Sequence, residues 1–279
     1  MVRAPKEFSI RLYLAQVFVQ FAALLIAIRV LLPALWEQQL RAGPGMILAT
    51  VVVLHLLTAF VEWGFHRYIL HSAALSLFNA YTRGHRHHHK LTPVHIRPAP
   101  DGTGRVIYND YPITREAQWE DSAFPPYALV VIWASFTPIL VLAQVLLPDA
   151  PVILGGYTAV TLSTAGYEVL HAIEHLPYEW WKRATEHPRF GRFWRPIYGF
   201  HLFHHANVKA NEAIFGWFGI PVADWVFGTL FVPKNLLLHG RMAIGNELKV
   251  QPPRWLVRKL DTWFNRLELR DARGRAAKR

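Results

Sequence analysis

Residues 46–71 read MILATVVVLHLLTAFVEWGFHRYILH, an apolar run from residue 46 to about residue 64 that carries Glu62 near its end and continues directly into His66 and His71. Roughly 20 consecutive apolar residues are enough to cross a bilayer as a helix. The stretch therefore predicts a spanning helix that delivers histidines to one membrane surface. Three further runs have similar length and character, at residues 12–36, 127–147 and 152–170. Short linkers at 37–45 and 148–151 join them in pairs, so the expected fold is all-α: an integral membrane domain with four transmembrane helices in two hairpins. One domain over 1–279 is expected, with a cytoplasmic helical cap over 171–267 and a disordered basic tail over 268–279.

Composition agrees with a membrane chain. Hydrophobic residues make up 52% and charged residues 18% of the 279, too little polar surface to coat an ordinary soluble globule. The net charge is +11, and its placement tells what it is for. Two hairpins bring the N-terminus, residues 65–126 and everything after about 171 to one side. Lys and Arg number three before residue 12, seven in 66–125 and eighteen in 176–279, whereas the linkers opposite hold Arg41 alone. The positive-inside rule then makes the large side cytoplasmic and accounts for the basic balance without nucleic acid. No cleavable signal peptide is expected. Frequent Ala, Arg and Pro point to a bacterial plasma membrane, with the endoplasmic reticulum as the alternative.

With no cysteine and fifteen histidines, any metal must be held by nitrogen and oxygen. Four clusters stand out: His66 and His71; His85, His88 and His89; His171 and His175; His201, His204 and His205. All fall on the predicted cytoplasmic side. In a helix, residues at i, i+3 and i+4 share a face, so each cluster after the first presents its imidazoles together. His66 and His71, five apart, lie about 140° apart on an ideal helix, and need either a distorted helix end or different metals. Ten imidazoles exceed the ligand demand of one ion, which argues for two metals with about five nitrogens each.

Ligating imidazoles usually pass their second N–H to a carboxylate or carbonyl. Helical phase offers Glu62, Glu168 and Glu174 for this. Tyr157, Thr161 and Thr164 form a polar stripe on the fourth run, either facing the site or binding helices together. His55 lies three turns before His66 and is a candidate to line a substrate cavity. His87 should point away from its neighbours, and His95, His187 and His239 read as structural or solvated. Leu256, Leu260, Trp263, Phe264 and Leu267 repeat at helical spacing, as in an interfacial amphipathic helix.

At these residues the chain resembles the fatty acid hydroxylase (sterol desaturase) superfamily of membrane di-iron enzymes. The likeness rests on Glu62, His66, Arg67 and His71; on Gly84, His85, His88, His89 and Lys90; on Gly166, Tyr167, His171 and His175; and on His201, His204 and His205 followed by Asn211, Gly216, Asp224 and Phe227-Gly228-Thr229. The spacing of the first box is closest to the fatty acid and ceramide 2-hydroxylase branch. The resemblance implies that the ten histidines bind two iron ions, with zinc able to replace them on overexpression, and that O2 is the oxidant. It adds Asn211 and Asp224 to the supporting residues. It implies a lipid substrate, such as a fatty acyl chain, ceramide or sterol-like molecule, and hydroxylation or desaturation as the outcome. Electrons would come from a separate donor protein, ferredoxin or cytochrome b5-like.

Two other classes fit part of the pattern. His171-Ala172-Ile173-Glu174-His175 matches the H-x-x-E-H arrangement of a zinc metalloprotease, in which two histidines bind zinc and the glutamate acts as base. A metal transporter or sensor would use the histidines without catalysis.

Overall fold

In the computed structural model, which describes residues 8–75, 78–119 and 121–276, the chain is mostly helical. Helix α1 (Ile10–Leu31) ends before Pro33, because a proline disfavours helical geometry in the residue ahead of it and contributes no N–H. Pro33 then opens α2 (Pro33–Arg41), and α3 follows at once (Gly43–Phe65). The expected first span of 12–36 is thus broken at residue 32, and the expected 37–45 linker is largely helix. Helix α3 runs on into a π-helical turn, His66–Leu70. After α4 (Asn79–Leu91) comes a two-stranded antiparallel ribbon, β1 (Val94–Pro98) with β2 (Arg105–Asn109), which the all-α expectation lacked. Helices α5 (Ala128–Leu146) and α6 (Val152–Glu174) are followed by α7 (Tyr178–Thr185), α8 (Gly191–Ala206), α9 (Val222–Phe227) and α10 (Trp255–Ala276).

Among the described residues, three segments are long and apolar enough to cross a membrane: Ile10–Leu31, Gly43–Leu70 and Ala128–Leu146. The fourth expected span is different in kind. Thirteen of the 23 residues of α6 are buried, against two of 22 in α1, so α6 is the central post around which α1, α3 and α5 stand. Its polar stripe is largely spent on this packing: Tyr157 bonds Thr137, and Thr161 accepts the Trp133 indole N–H at 3.1 Å. Helices α1 and α3 meet chiefly through α6 rather than closing on each other as a hairpin. Gln39 of α2 and Gln144 of α5 accept the Leu154 and Ile153 N–H groups, satisfying donors that the start of a helix leaves unpaired.

Gly155 and Gly156 let α6 approach its neighbours closely. A Cβ at Gly155 would lie 2.6 Å from the Thr50 methyl group, and one at Gly156 would collide with the Leu140 side chain. Gly156→Val should therefore destabilise the bundle by about 1–3 kcal/mol, the usual cost of overpacking. An unchanged unfolding midpoint in detergent would show that α5 can retreat at no cost.

Beyond the bundle, Val94, Ile107 and Tyr111 of the ribbon region pack on Tyr198, Leu202 and Phe203 of α8. Helix α10 packs Val257, Leu260 and Phe264 against Trp63, Tyr68 and Phe227. The expected apolar stripe on α10 is therefore divided: Leu256 and Trp263 are exposed. The helix also continues through Ala276, so 268–276 is not the disordered tail expected, and 277–279 lie outside the described residues.

Candidate metal centre

The structure gathers the ten clustered histidines into two groups of five. His66, His71, His85, His89 and His204 form one; His88, His171, His175, His201 and His205 form the other, with one ring nitrogen from each residue within 4.8 Å of every other in its group. Each group could hold a metal ion. The i, i+4 pairs stay together in every case, while the i+3 members cross over: α4 sends His88 to the second group and α8 sends His204 to the first. The groups adjoin, with His89 and His205 stacked at 4.0 Å between ring centroids.

His66 and His71 reach one group because the helix end is distorted. The π-helical turn replaces the α-helical bond with His71 N–H to His66 O at 3.2 Å, which brings residues five apart onto one face and their rings to 5.0 Å. Eight of the ten histidines are buried, and only His71 and His89 are partly accessible.

Four of the rings are oriented by backbone carbonyls. His66 Nδ1 lies 2.5 Å from Glu212 O, His204 Nδ1 2.7 Å from Ala210 O, His175 Nδ1 2.8 Å from Tyr111 O and His205 Nδ1 3.0 Å from Thr92 O. A carbonyl only accepts, so each Nδ1 carries the proton and each Nε2 presents a lone pair inward. In the first group, His66 and His204 Nε2 sit 2.9 Å from His85 and His71 Nε2, which also meet each other at 3.1 Å. His85 and His71 must then carry their protons on Nε2 to donate to His66 and His204, which leaves two N–H nitrogens facing each other with no acceptor between them. In the second group, His171 Nε2 is buried without a hydrogen-bond partner. A cation in place of those protons would let every inward nitrogen offer a lone pair, so both groups could hold one.

The carboxylates expected to support the imidazoles act one step further out. Glu62 accepts the Phe215 and Gly216 N–H groups at 2.8 and 3.0 Å, and Asp224 accepts those of Glu212 and Ala213 at 2.9 and 2.8 Å. Asn211, with φ of 58°, bonds Phe200 O and both backbone groups of Phe231. Together they shape the 210–216 loop whose carbonyls hold His66 and His204. Glu168 accepts Phe124 N–H, and Glu174 is buried with Oε2 unpartnered. Sequence reading missed Glu212, which is fully buried, pairs with Arg67 at 2.7 Å and lies 4.0 Å from His204 Nδ1. Arg67 also pairs with Asp261 of α10 at 2.7 Å. The available signal was Arg67 itself, a cation beside a ligand box that requires an anion wherever it is buried.

The remaining histidines divide. His87 is half-exposed and lies 3.0 Å from Asp121, and His95, His187 and His239 are exposed. His55 is fully buried and does not line the cavity described next; Thr58 and Ser163, which it contacts, do.

That cavity, of about 340 Å³, lies between α3, α5 and α6. Its wall is mostly apolar, including Val61, Phe65, Ile132, Phe136 and Val160, and it reaches His66 and Tyr167 at one end. Val131 and Ile139, which also line it, are 43% and 64% exposed on α5, on the surface that a bilayer would cover.

Burial, reinforced by neighbouring imidazoles, pushes His88, His201, His204 and His205 well below the ordinary histidine pKa, and burial takes His175 down to about 3. Neutral imidazoles are the ligating form, so the site is ready for metal at neutral pH. The native state also binds fewer protons here than the unfolded chain, whose histidines titrate near 6.5. Stability contributed by these groups is complete above about pH 6.5 and declines as pH falls toward the lower folded values. Burial raises the carboxyls of Glu174, Glu212 and Asp224, whose contribution has the opposite sign, so the histidine share is read by difference. The unfolding midpoint of chelator-stripped protein should lose less, or gain more, from pH 7.5 to about pH 5 in a His88→Asn, His201→Asn variant than in the parent. An identical pH profile would contradict the buried neutral site.

Comparison with protein-family models, curated proteins and solved structures produced no match to this chain.

Proposed function

We propose that the chain is a membrane-bound di-iron oxygenase that hydroxylates or desaturates a lipid, with O2 as oxidant and a separate ferredoxin or cytochrome b5-like protein as electron donor. The observation that carries this reading is the apolar cavity, bordered by membrane-facing helices and ending at His66 of the first five-histidine group. Its volume falls at the lower end of the roughly 300–1,000 Å³ usual for small-molecule sites. Imidazole sets suit iron, copper, zinc or nickel, and a redox task selects among them. Iron, when bound by the two groups, would supply the oxygen chemistry that side chains lack.

The chain's own residues do the rest. Phe65, Phe136 and Val160 hold an alkyl chain and exclude water, and His66 stands where the chain meets the metal centre. Glu62, Asn211 and Asp224 keep the 210–216 loop in the shape that aims His66 and His204. Residues 66–71, 85–89, 171–175 and 201–205 would lie on the cytoplasmic side of a four-span arrangement, with α6 enclosed by the other three. The protease alternative is weaker, because His88, His201 and His205 share the site of His171 and His175. Five imidazoles would crowd the open position that a hydrolytic zinc requires.

The test is lipid analysis of cells expressing the chain with an electron donor under 18O2. A lipid bearing a heavy-oxygen hydroxyl, or one lacking two hydrogens, is expected, and it should be absent with His66→Ala, His204→Ala. An unchanged lipid profile from an iron-loaded, donor-supplied protein would remove the oxygenase reading.

A further inference from the structure

The cavity wall carries one polar feature far from the histidine groups. Thr58 on α3 and Ser163 on α6 both line the cavity, and their hydroxyl oxygens lie 2.6 Å apart across the helix interface. Each precedes a clustered histidine, His66 or His171, by eight residues, about 12 Å along a helix. Two other cavity hydroxyls are spent on their own helices, Ser135 on Val131 O and Thr164 on Val160 O, both at 2.9 Å. Ser163 instead reaches across to Thr58, and both are backed by a buried imidazole.

That imidazole determines which way the protons point. His55 Nε2 accepts the Phe218 N–H at 3.4 Å, so the ring proton is on Nδ1. Nδ1 lies 3.0 Å from Ser163 Oγ and 3.2 Å from Thr58 Oγ1, and donates to the nearer. Phe215 stacks on the ring and Phe218 meets it edge-on, holding it in place. Thr58 donates its own proton to His55 O at 2.8 Å. What remains is the Ser163 O–H, which can turn between Thr58 Oγ1 and the cavity, and a Thr58 lone pair that is released when it turns. A ligand hydroxyl satisfies both, accepting from Ser163 and donating to Thr58. An alkyl chain satisfies neither.

We propose that Thr58 and Ser163, with His55 as the positioning residue behind them, form a subsite for a hydroxyl group on the lipid. The inference rests on the lipid reading of the cavity and narrows it, to a substrate whose hydroxyl lies about 12 Å from the carbon presented to the metals. The same three side chains serving only to bind α3 to α6 would contribute stability without selecting a ligand.

The experiment is competitive retention, read by native mass spectrometry on the metal-loaded full chain in detergent. Methyl octadecanoate is offered together with its mid-chain monohydroxy isomers, one at a time. At least one isomer should be retained roughly fivefold to tenfold over the unsubstituted chain, as expected for about one net hydrogen bond. Thr58→Val and Ser163→Ala should each bring that ratio to about one while leaving retention of methyl octadecanoate and metal content unchanged. Ser163→Thr, which keeps the hydroxyl, should preserve the preference and shows that a changed helix interface is not the cause. Equal retention in the parent, or a preference that survives in both variants, overturns the subsite while leaving the lipid cavity standing. Retention of neither chain by the parent overturns the lipid reading and the subsite with it.

Discussion

A His66→Ala, His71→Ala variant should retain about one transition-metal ion per chain where the parent retains about two, by elemental mass spectrometry of detergent-purified protein. The reason is the partition of the histidines. Both substitutions fall in the first group and leave only His85, His89 and His204 there, while the second group keeps all five of its members. His171→Ala, His201→Ala should produce the mirror result, emptying the second group and sparing the first. His88→Ala, His204→Ala removes one ligand from each group and should weaken both. The result would hold with zinc in place of iron, since the argument concerns ligand sets rather than redox state. One ion in the parent, unaffected by the first pair of substitutions, would shift the assignment to a single centre at His171 and His175. Loss of both ions from an otherwise folded His66→Ala, His71→Ala protein would show that the two groups do not bind independently.

Arg67→Ala should lower unfolding stability by about 3–5 kcal/mol, the usual cost of leaving a buried charge without its partner. Arg67 is 5% exposed and Glu212 is fully buried, and Arg67 also bonds Lys209 O at 3.1 Å and Asp261 on α10. Without the guanidinium, the Glu212 carboxyl must take up a proton or draw its loop toward water. Either change disturbs Glu212 O, the acceptor for His66 Nδ1, so metal content should fall along with stability. Glu212→Gln should cost less, because Arg67 keeps its Asp261 pair and the amide oxygen can still accept from it. Chemical denaturation in a fixed detergent, with metal measured on the same samples, tests both. An Arg67→Ala protein with parental stability and metal content would mean that the ion pair has no part in holding the first group.

Much of the site was legible in the chain alone, because helical spacing and membrane hydrophobicity are local properties. The apolar run ending in His66 and His71 marked where a helix reaches a surface, and the clustered spacing identified the ten histidines that converge. The excess of imidazoles over one ion's needs gave two sets of about five. Local phase could also set His87 apart from its neighbours and narrow His66 and His71 to a distorted helix end or different metals, since five-residue spacing does not close on an ideal helix; the π-helical turn decided for the former.

Tertiary structure decided how those residues are used. Periodicity says that His85, His88 and His89 share a face, but only the placement of α4 between the two groups sends His88 one way and its neighbours the other. It says that Glu62 lies one turn from His66, but not that a loop 150 residues later brings backbone N–H groups to that carboxylate and backbone carbonyls to the imidazole. Hydropathy presented α6 as a fourth span like the others, but could not tell that it is the buried post of the bundle, with Tyr157, Thr161, Gly155 and Gly156 turned to neighbouring helices. The division has a physical cause. Patterns of polarity report what a segment can bury or coordinate, while the partner it does so with is set by long-range packing and hydrogen-bond satisfaction, which leave little trace in local sequence.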